Sequence, residues 1–107
     1  MEVKLLLVYN IKPNREAEYF RYVLGEMLPN LQSLGLYMVG GWHTAYGDYP
    51  MRLLEFRADS EPELKQILTS SEWEEAKDKL LKLIRDYEER IVPARNSFQF
   101  FIPGSQD

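Results

Sequence analysis

The stretch Val3-Lys4-Leu5-Leu6-Leu7-Val8-Tyr9 decides the fold, because it has the composition of a β-strand with apolar residues on both faces. Alternation along a strand divides these residues into two sets: Val3, Leu5, Leu7 and Tyr9 on one face, Leu6 and Val8 on the other. Helices can cover one face of the sheet. The other face then needs a second copy of the chain or a ligand.

The segments that follow this strand predict one helix and then a β-hairpin. Apolar residues recur at three- and four-residue steps from about 15 to about 31, as on one face of a helix. Pro29 should kink or stop that helix early, and Gly35 should end the segment. Strands are predicted at 36–46 and 51–57, and Gly40-Gly41 indicates a bulge or a close approach of another group.

The second half of the chain predicts two further helices and a last strand. Two capping boxes, beginning at Ser60 and Ser71, open a short helix and a long one that runs to about residue 89. The last strand is predicted at 95–102. Residues 1–107 therefore form one α+β domain with the ferredoxin-like order β-α-β-β-α-β, a four-stranded antiparallel sheet with its helices on one face.

Composition excludes several classes of function. The chain has no cysteine, hence no disulfide or thiolate metal site, and its net charge of −4 arises between residues 59 and 90. No basic stripe suits a phosphate backbone, so no nucleic-acid partner is expected. There is no apolar run of membrane-spanning length and no export signal, so no membrane association and a cytoplasmic location are expected.

Several short motifs, in their order and spacing, resemble one family. They are Tyr9-x-x-Lys12-Pro13, Leu28-Pro29, Gly35, Val39-Gly40-Gly41-Trp42, Gly47, Leu53-Leu54-Glu55-Phe56 and Trp73. Over about residues 3 to 102 the chain resembles the NIPSNAP branch of the dimeric α+β barrel proteins, which also include the antibiotic-biosynthesis monooxygenases. The resemblance implies a homodimer in which two sheets pack face to face and close a barrel. Members include cofactor-independent monooxygenases acting on aromatic polyketides, haem-degrading enzymes and proteins without established activity, so the fold does not decide the function.

The candidate catalytic residues are His43, the only histidine, and Arg95. Histidine changes charge near neutral pH, so His43 can serve as a general base, and the Arg95 guanidinium can hold a carboxylate or enolate. The alternatives are a histidine hydrogen-bonded near a strand end or at the dimer contact, and a surface or interface ion pair. One histidine cannot make a typical zinc site, and no cofactor is expected.

Aromatic side chains are the candidate ligand-binding residues: Tyr9, Trp42, Tyr46 and Trp73. They can wall a pocket for an apolar or aromatic molecule, or they can pack in the core and at the interface. Asn10, Arg52 and Glu55 are polar residues on strands, and Glu55 is expected to pair with an arginine, either Arg52, Arg57 or one of a partner chain.

Three functions remain open at this level. The first is a protein that binds a small apolar or aromatic molecule in a cleft between sheet and helices. The second is a cofactor-independent monooxygenase with His43 as its base, with haem degradation as a weaker variant. The third is a structural or interaction dimer with a dry barrel, without a cavity beyond about 150 Å³, well below usual ligand pockets.

Overall fold

A computed structural model describes residues 2–46 and 49–93, with side chains for 2–43 and 51–93. The elements are β1 (Val3–Ile11), α1 (Glu16–Tyr22), a π-helical segment (Val23–Met27), α2 (Leu28–Leu34), β2 (Tyr37–Tyr46), β3 (Tyr49–Ala58), α3 (Glu61–Leu68), α4 (Ser71–Leu81) and β4 (Ile84–Pro93). Within these ranges no helix is long and apolar enough to cross a bilayer.

The four strands form one antiparallel sheet in the order β2-β3-β1-β4. β1 lies in the middle, where Leu5 pairs with Phe56 of β3 and with Ile91 of β4. This confirms the predicted ferredoxin-like α+β fold.

The helices cover one face of the sheet and form the core with it. That face contributes Leu5, Leu7, Leu54 and Phe56, which are at most 1% exposed. The helices bury Tyr19, Met27, Leu31, Leu64, Trp73 and Leu80 against them. Burying each large apolar side chain stabilises the fold by about 1.5–3 kcal/mol.

The opposite face, called here the open face, carries Lys4, Leu6, Val8, Trp42, Leu53 and Glu55 among others, because these alternate with the core residues. Leu6, Leu53 and Glu55 are nevertheless buried within a single chain. Tyr37 and Met51 remain exposed at its margin. The predicted two-faced character of β1 is thus confirmed, while a dimer remains a proposal.

Of the two outcomes predicted at Pro29, a kink or an early stop, the early stop does not occur, because the helical region continues to Leu34. Just before the proline the backbone forms a π-helical turn, in which the Leu28 N–H donates to the Val23 carbonyl five residues back. Pro29 then occupies the first turn of α2, where a missing N–H costs least. Gly35 ends the region in the left-handed conformation (φ 107°), as predicted.

The last helix is shorter than the sequence predicted, which placed its end at about residue 89. α4 ends at Leu81, and residues 84–93 form β4 because their backbone groups pair with β1. Asp86 and Arg90 therefore lie on a strand and not on successive turns of a helix. The N-cap is Ser70 rather than Ser71, since Ser70 Oγ accepts from the Trp73 N–H at 3.2 Å. The strand predicted at 95–102 lies outside the described residues.

The bulge predicted at Gly40-Gly41 is confirmed, because the β2–β3 register shifts between Met38 and Gly40. Because of this shift, Tyr37 does not share the face of His43, as strict alternation along β2 would require. Tyr37 pairs with Arg57 and therefore lies on the open face. The Trp42 ring fills the space beside Gly40, where an added Cβ would meet Cζ3 at 2.5 Å.

Candidate functional site

Strand pairing places three polar residues in one row across the helix-covered face of the sheet. Arg52 of β3 pairs with Tyr9 of β1 on one side and with His43 of β2 on the other. Adjacent strands lie about 4.8 Å apart, so the three side chains can interact. α1 supplies Tyr19 and Phe20 over this row. We call these five residues the Arg52 site.

Arg52 is the centre of this site. Its Cζ lies 5.0 Å from the centroid of the Phe20 ring and 5.7 Å from that of Tyr19, within the range of cation–π attraction. Its Nη1 lies 3.3 Å from His43 Nδ1. An arginine can only donate, so Nδ1 accepts and the neutral imidazole carries its proton on Nε2.

The guanidinium retains capacity for a further partner. Arg52 is half-buried, and its Nε is buried without a hydrogen-bond partner. Native structures pair most buried donors, so an unpaired one needs an explanation such as a ligand or water. His43 is exposed and Phe20 is 38% exposed, which leaves the site accessible from solvent.

Tyr9 forms the floor of the site. It is 1% exposed, its hydroxyl is hydrogen-bonded to that of Tyr19, and its ring stacks on Tyr87 with centroids 6.4 Å apart. Burial, followed by the neighbouring Tyr19, raises the pKa of Tyr9. Tyr9 is therefore protonated near neutral pH, and its hydroxyl can donate or accept a hydrogen bond.

Behind this floor lies a charged cluster that joins β4 to α4. The Tyr87 hydroxyl donates to Glu89 Oε1 at 2.9 Å, and Lys77 Nζ donates to the same oxygen at 3.0 Å. Lys77 Nζ also lies 5.2 Å from the Tyr87 ring centroid. Burial and the neighbouring Glu89 raise the pKa of Tyr87. The cluster fixes Tyr87, which in turn fixes the position of Tyr9.

The structure brings together only some of the residues proposed from the sequence. His43 and Tyr9 share the Arg52 site, whereas Trp42 lies on the open face and Trp73 is buried in the core by α4. The Tyr46 side chain and Arg95 lie outside the described residues. The roles proposed for all six remain predictions.

The sequence did not identify Arg52, Tyr19 or Phe20 as candidate site residues. Arg52 was expected to form a surface or interface ion pair, yet alternation from Leu54 and Phe56 places it on the core face. A cation that alternates along the strand with two core residues, Leu54 and Phe56, is the sequence signal that would have identified it. No signal in the sequence alone brings Tyr19 and Phe20 to it.

Glu55 has a different partner from those the sequence suggested. It forms an ion pair with Lys4 on the open face and leaves Oε1 without a hydrogen bond. It contacts neither Arg52 nor Arg57 through an ion pair in the described structure. Among the residues with described positions, no group of three or more His, Asp or Glu side chains is placed to hold a metal ion.

Solved structures of other proteins share this architecture. A NIPSNAP-like domain protein from Burkholderia xenovorans superposes with a TM-score of 0.66 at 17% identity, covering 91% of this chain and 87% of the other. A NIPSNAP family protein of unknown function from Agrobacterium tumefaciens gives 0.64 at 20% identity, covering 90% and 91%. An ethyl tert-butyl ether D (EthD) family protein from Bacillus halodurans gives 0.63 at 16%, covering 89% and 100%.

These similarities define the class of fold. The chain is an α+β protein of ferredoxin-like topology, and within that class its fold is NIPSNAP-like, as the sequence motifs suggested. No protein-family model matches the sequence, and no curated protein sequence matches it either. At these identities the likeness extends to the fold, and the NIPSNAP neighbour from Agrobacterium tumefaciens is itself of unknown function.

Proposed function

We propose that this protein binds a small aromatic molecule carrying an anionic oxygen, and that the Arg52 site is where it binds. The observation that carries the proposal is the state of Arg52, a half-buried cation flanked by two aromatic rings with an unpaired buried Nε. A carboxylate or phenolate would accept hydrogen bonds from the guanidinium. The aromatic body would contact the exposed part of Phe20.

The charge of Arg52 restricts the class of ligand more strongly than the shape of the Arg52 site does. Within the Arg52 site the hydrogen-bond partner of Arg52 is His43, whose ring accepts through Nδ1 and does not cancel the charge of Arg52. No carboxylate among the described residues forms an ion pair with Arg52. A partly desolvated, uncancelled cation favours an anion over a neutral ligand.

A second candidate function is a cofactor-independent monooxygenase, and the contact between His43 and Arg52 favours it. On substrate binding the Arg52 guanidinium would pass from His43 Nδ1 to the substrate oxygen, which frees the Nδ1 lone pair; His43 would then take a proton from an activated carbon of a phenolic substrate, and Arg52 would stabilise the resulting enolate. The carbanion would add O₂ to form a peroxide. Loss of water from that peroxide would leave a carbonyl, which closes the oxygen and electron balance without a cofactor.

A homodimer belongs to the same proposal. On the open face Val8 and Val92 are half-buried, and Tyr37 and Met51 are exposed at its margin. A second sheet packed against this face would therefore bury further apolar area. An isologous contact would make the open face the interior of a barrel. The third candidate function, a dimer without a ligand, is favoured if the Arg52 site binds nothing.

Native mass spectrometry of the freshly purified protein, followed by denaturing mass spectrometry, tests this proposal. A mass of two chains plus an excess that denaturation removes supports a dimer with a bound molecule, and that molecule's mass gives its class. A monomer would contradict the dimer. For the monooxygenase, oxygen uptake with anthrone-type substrates should fall at least about tenfold in His43→Ala, and an unchanged rate would remove His43 from the mechanism.

A further inference from the structure

We infer a second binding site, for a small organic anion with at least two negative charges, in a groove between α1 and the end of α4. The groove has a volume of about 540 Å³, within the range of small-molecule pockets. Its lining, called here the α1–α4 groove, consists of Lys12, Arg15, Glu18, Arg21, Tyr22, Glu26, Lys79, Lys82 and Leu83. It shares no residue with the Arg52 site.

The β1–α1 loop fixes one end of the groove. The Lys12 N–H donates to the Leu83 carbonyl at 3.0 Å, and Lys12 Nζ donates to the Lys82 carbonyl at 3.2 Å. Tyr22 is held on the α4 side, because its hydroxyl donates to the Ala76 carbonyl at 2.8 Å. Three hydrogen bonds to backbone carbonyls therefore fix the groove at both sides.

Five basic and only two acidic side chains line this groove, in a chain whose net charge is −4. Both carboxylates are already engaged: Glu18 Oε1 lies 2.7 Å from Arg15 Nη1, and Glu26 Oε1 lies 3.5 Å from Lys79 Nζ. Three cations, Lys12, Arg21 and Lys82, then have no carboxylate partner in the described part of the chain.

The helix dipole does not account for this excess. The C-terminus of α4 attracts cations, but it is equivalent to only about half a negative charge. Three uncancelled positive charges exceed that by more than two. A single carboxylate would also leave most of the excess in place, so the charge favours a ligand with two or more negative charges.

The apolar part of the lining adds a second requirement. Leu83 and the half-buried Tyr22 line the groove together with its cations, so a ligand there would contact apolar as well as charged surface. Such a surface suits a phosphate ester or polycarboxylate with an organic body. Arg21 can bind either oxyanion through two parallel N–H bonds, while the lysines act as point charges.

Calorimetric titration of the full chain with pyrophosphate, citrate and acetate tests this inference at about 20 mM NaCl and again at about 200 mM. We expect saturable binding of pyrophosphate or citrate, no saturation with acetate, and weaker binding at the higher salt. A preference for pyrophosphate assigns phosphate esters, and a preference for citrate assigns polycarboxylates.

The site is located by two charge-matched variants. Arg21→Gln/Lys82→Gln should weaken binding about tenfold. Lys65→Glu lowers the net charge by the same two units at an exposed helix position outside the groove and should leave binding within about twofold. Equal weakening by the two variants, or no saturable binding by the unmodified protein, overturns the inference, and far-ultraviolet circular dichroism checks that each variant is folded.

Discussion

Arg52 donates from Nη1 to His43 Nδ1 across the β2–β3 pair, at 3.3 Å. The bond joins an exposed imidazole to a guanidinium that also contacts two aromatic rings of the first helix. It therefore orients a potential base and a potential oxyanion holder towards one another. Both residues lie on paired strands, so the sheet backbone fixes their relative positions.

Gly40 must be a glycine because Trp42 occupies the adjacent space. An alanine Cβ would fall 2.5 Å from Trp42 Cζ3, so Gly40→Ala should displace the indole and destabilise the fold by about 1–3 kcal/mol. Gly25→Ala is the matched control, since nothing lies within 4 Å of its Cβ position. There the helix should gain roughly 0.5–1 kcal/mol. Urea unfolding followed by tryptophan fluorescence measures both, and equal effects would refute the packing of Trp42 on Gly40.

Ser70, not Ser71, caps α4. Ser70→Ala should cost about 1 kcal/mol of unfolding free energy, because the Trp73 N–H then loses its acceptor. Ser71→Ala should change the unfolding free energy by less than about 0.5 kcal/mol, since Ser71 is exposed and makes only a 3.5 Å contact with Glu72. A larger loss of unfolding free energy in Ser71→Ala than in Ser70→Ala would contradict this assignment and support Ser71 as the N-cap, as the sequence predicted.

The ion pair between Lys4 and Glu55 is mostly buried on the open face, so removing one partner leaves the other charge uncompensated. Glu55→Leu should destabilise the protein by about 3 kcal/mol. Adding Lys4→Met should recover most of that loss, because the pair is replaced by apolar side chains. Chemical denaturation of both single variants and the double variant gives the coupling energy. Additive single losses would contradict a direct interaction.

Buried tyrosines should make the fold sensitive to alkali. Burial and the nearby Glu26 and Glu75 raise the pKa of Tyr22 to about 12, above its ordinary value of 10. Above pH 10 the unfolded chain loses the tyrosine proton while the folded chain keeps it, so the unfolding free energy should fall between pH 10 and 12.

Tyr22→Phe should reduce that fall, although Tyr9 and Tyr87 still contribute to it, and should lower stability at neutral pH by about 1 kcal/mol through loss of the bond to Ala76. Tyr37→Phe serves as the control, because Tyr37 is exposed on β2. Unfolding curves at pH 9 and pH 11 measure the difference. An alkaline fall of the same size in Tyr22→Phe as in the unmodified protein would contradict the assignment.

The sheet was predictable because alternation is a local property of the sequence. It places Leu5 and Leu7 in the core and Leu6 opposite, and the structure agrees. The boundary between α4 and β4 was not predictable in the same way. Residues 84–89 continue the helical period of α4 and include good helix formers, and only pairing with β1, far away in the sequence, makes them part of a strand.

The sites were predictable only in part, for a related reason. Alternation counted from Leu54 assigns Arg52 to the core face, and Tyr9 and His43 were recognised by their chemistry. The rings around Arg52 come from a helix whose packing is a tertiary property. The cations of the α1–α4 groove lie between residues 12 and 82, so no stretch of sequence shows them as a cluster.

The central claim is that Arg52 binds the anionic oxygen of an aromatic ligand. It is tested most directly by calorimetric titration with 1-hydroxy-2-naphthoate of the unmodified protein, Arg52→Gln and Arg57→Gln. Arg57 is the matched control, two residues away on β3 but on the opposite face of the sheet. Saturable binding that Arg52→Gln weakens about tenfold or more and Arg57→Gln leaves unchanged is the predicted result. Equal affinities in all three proteins would contradict the claim.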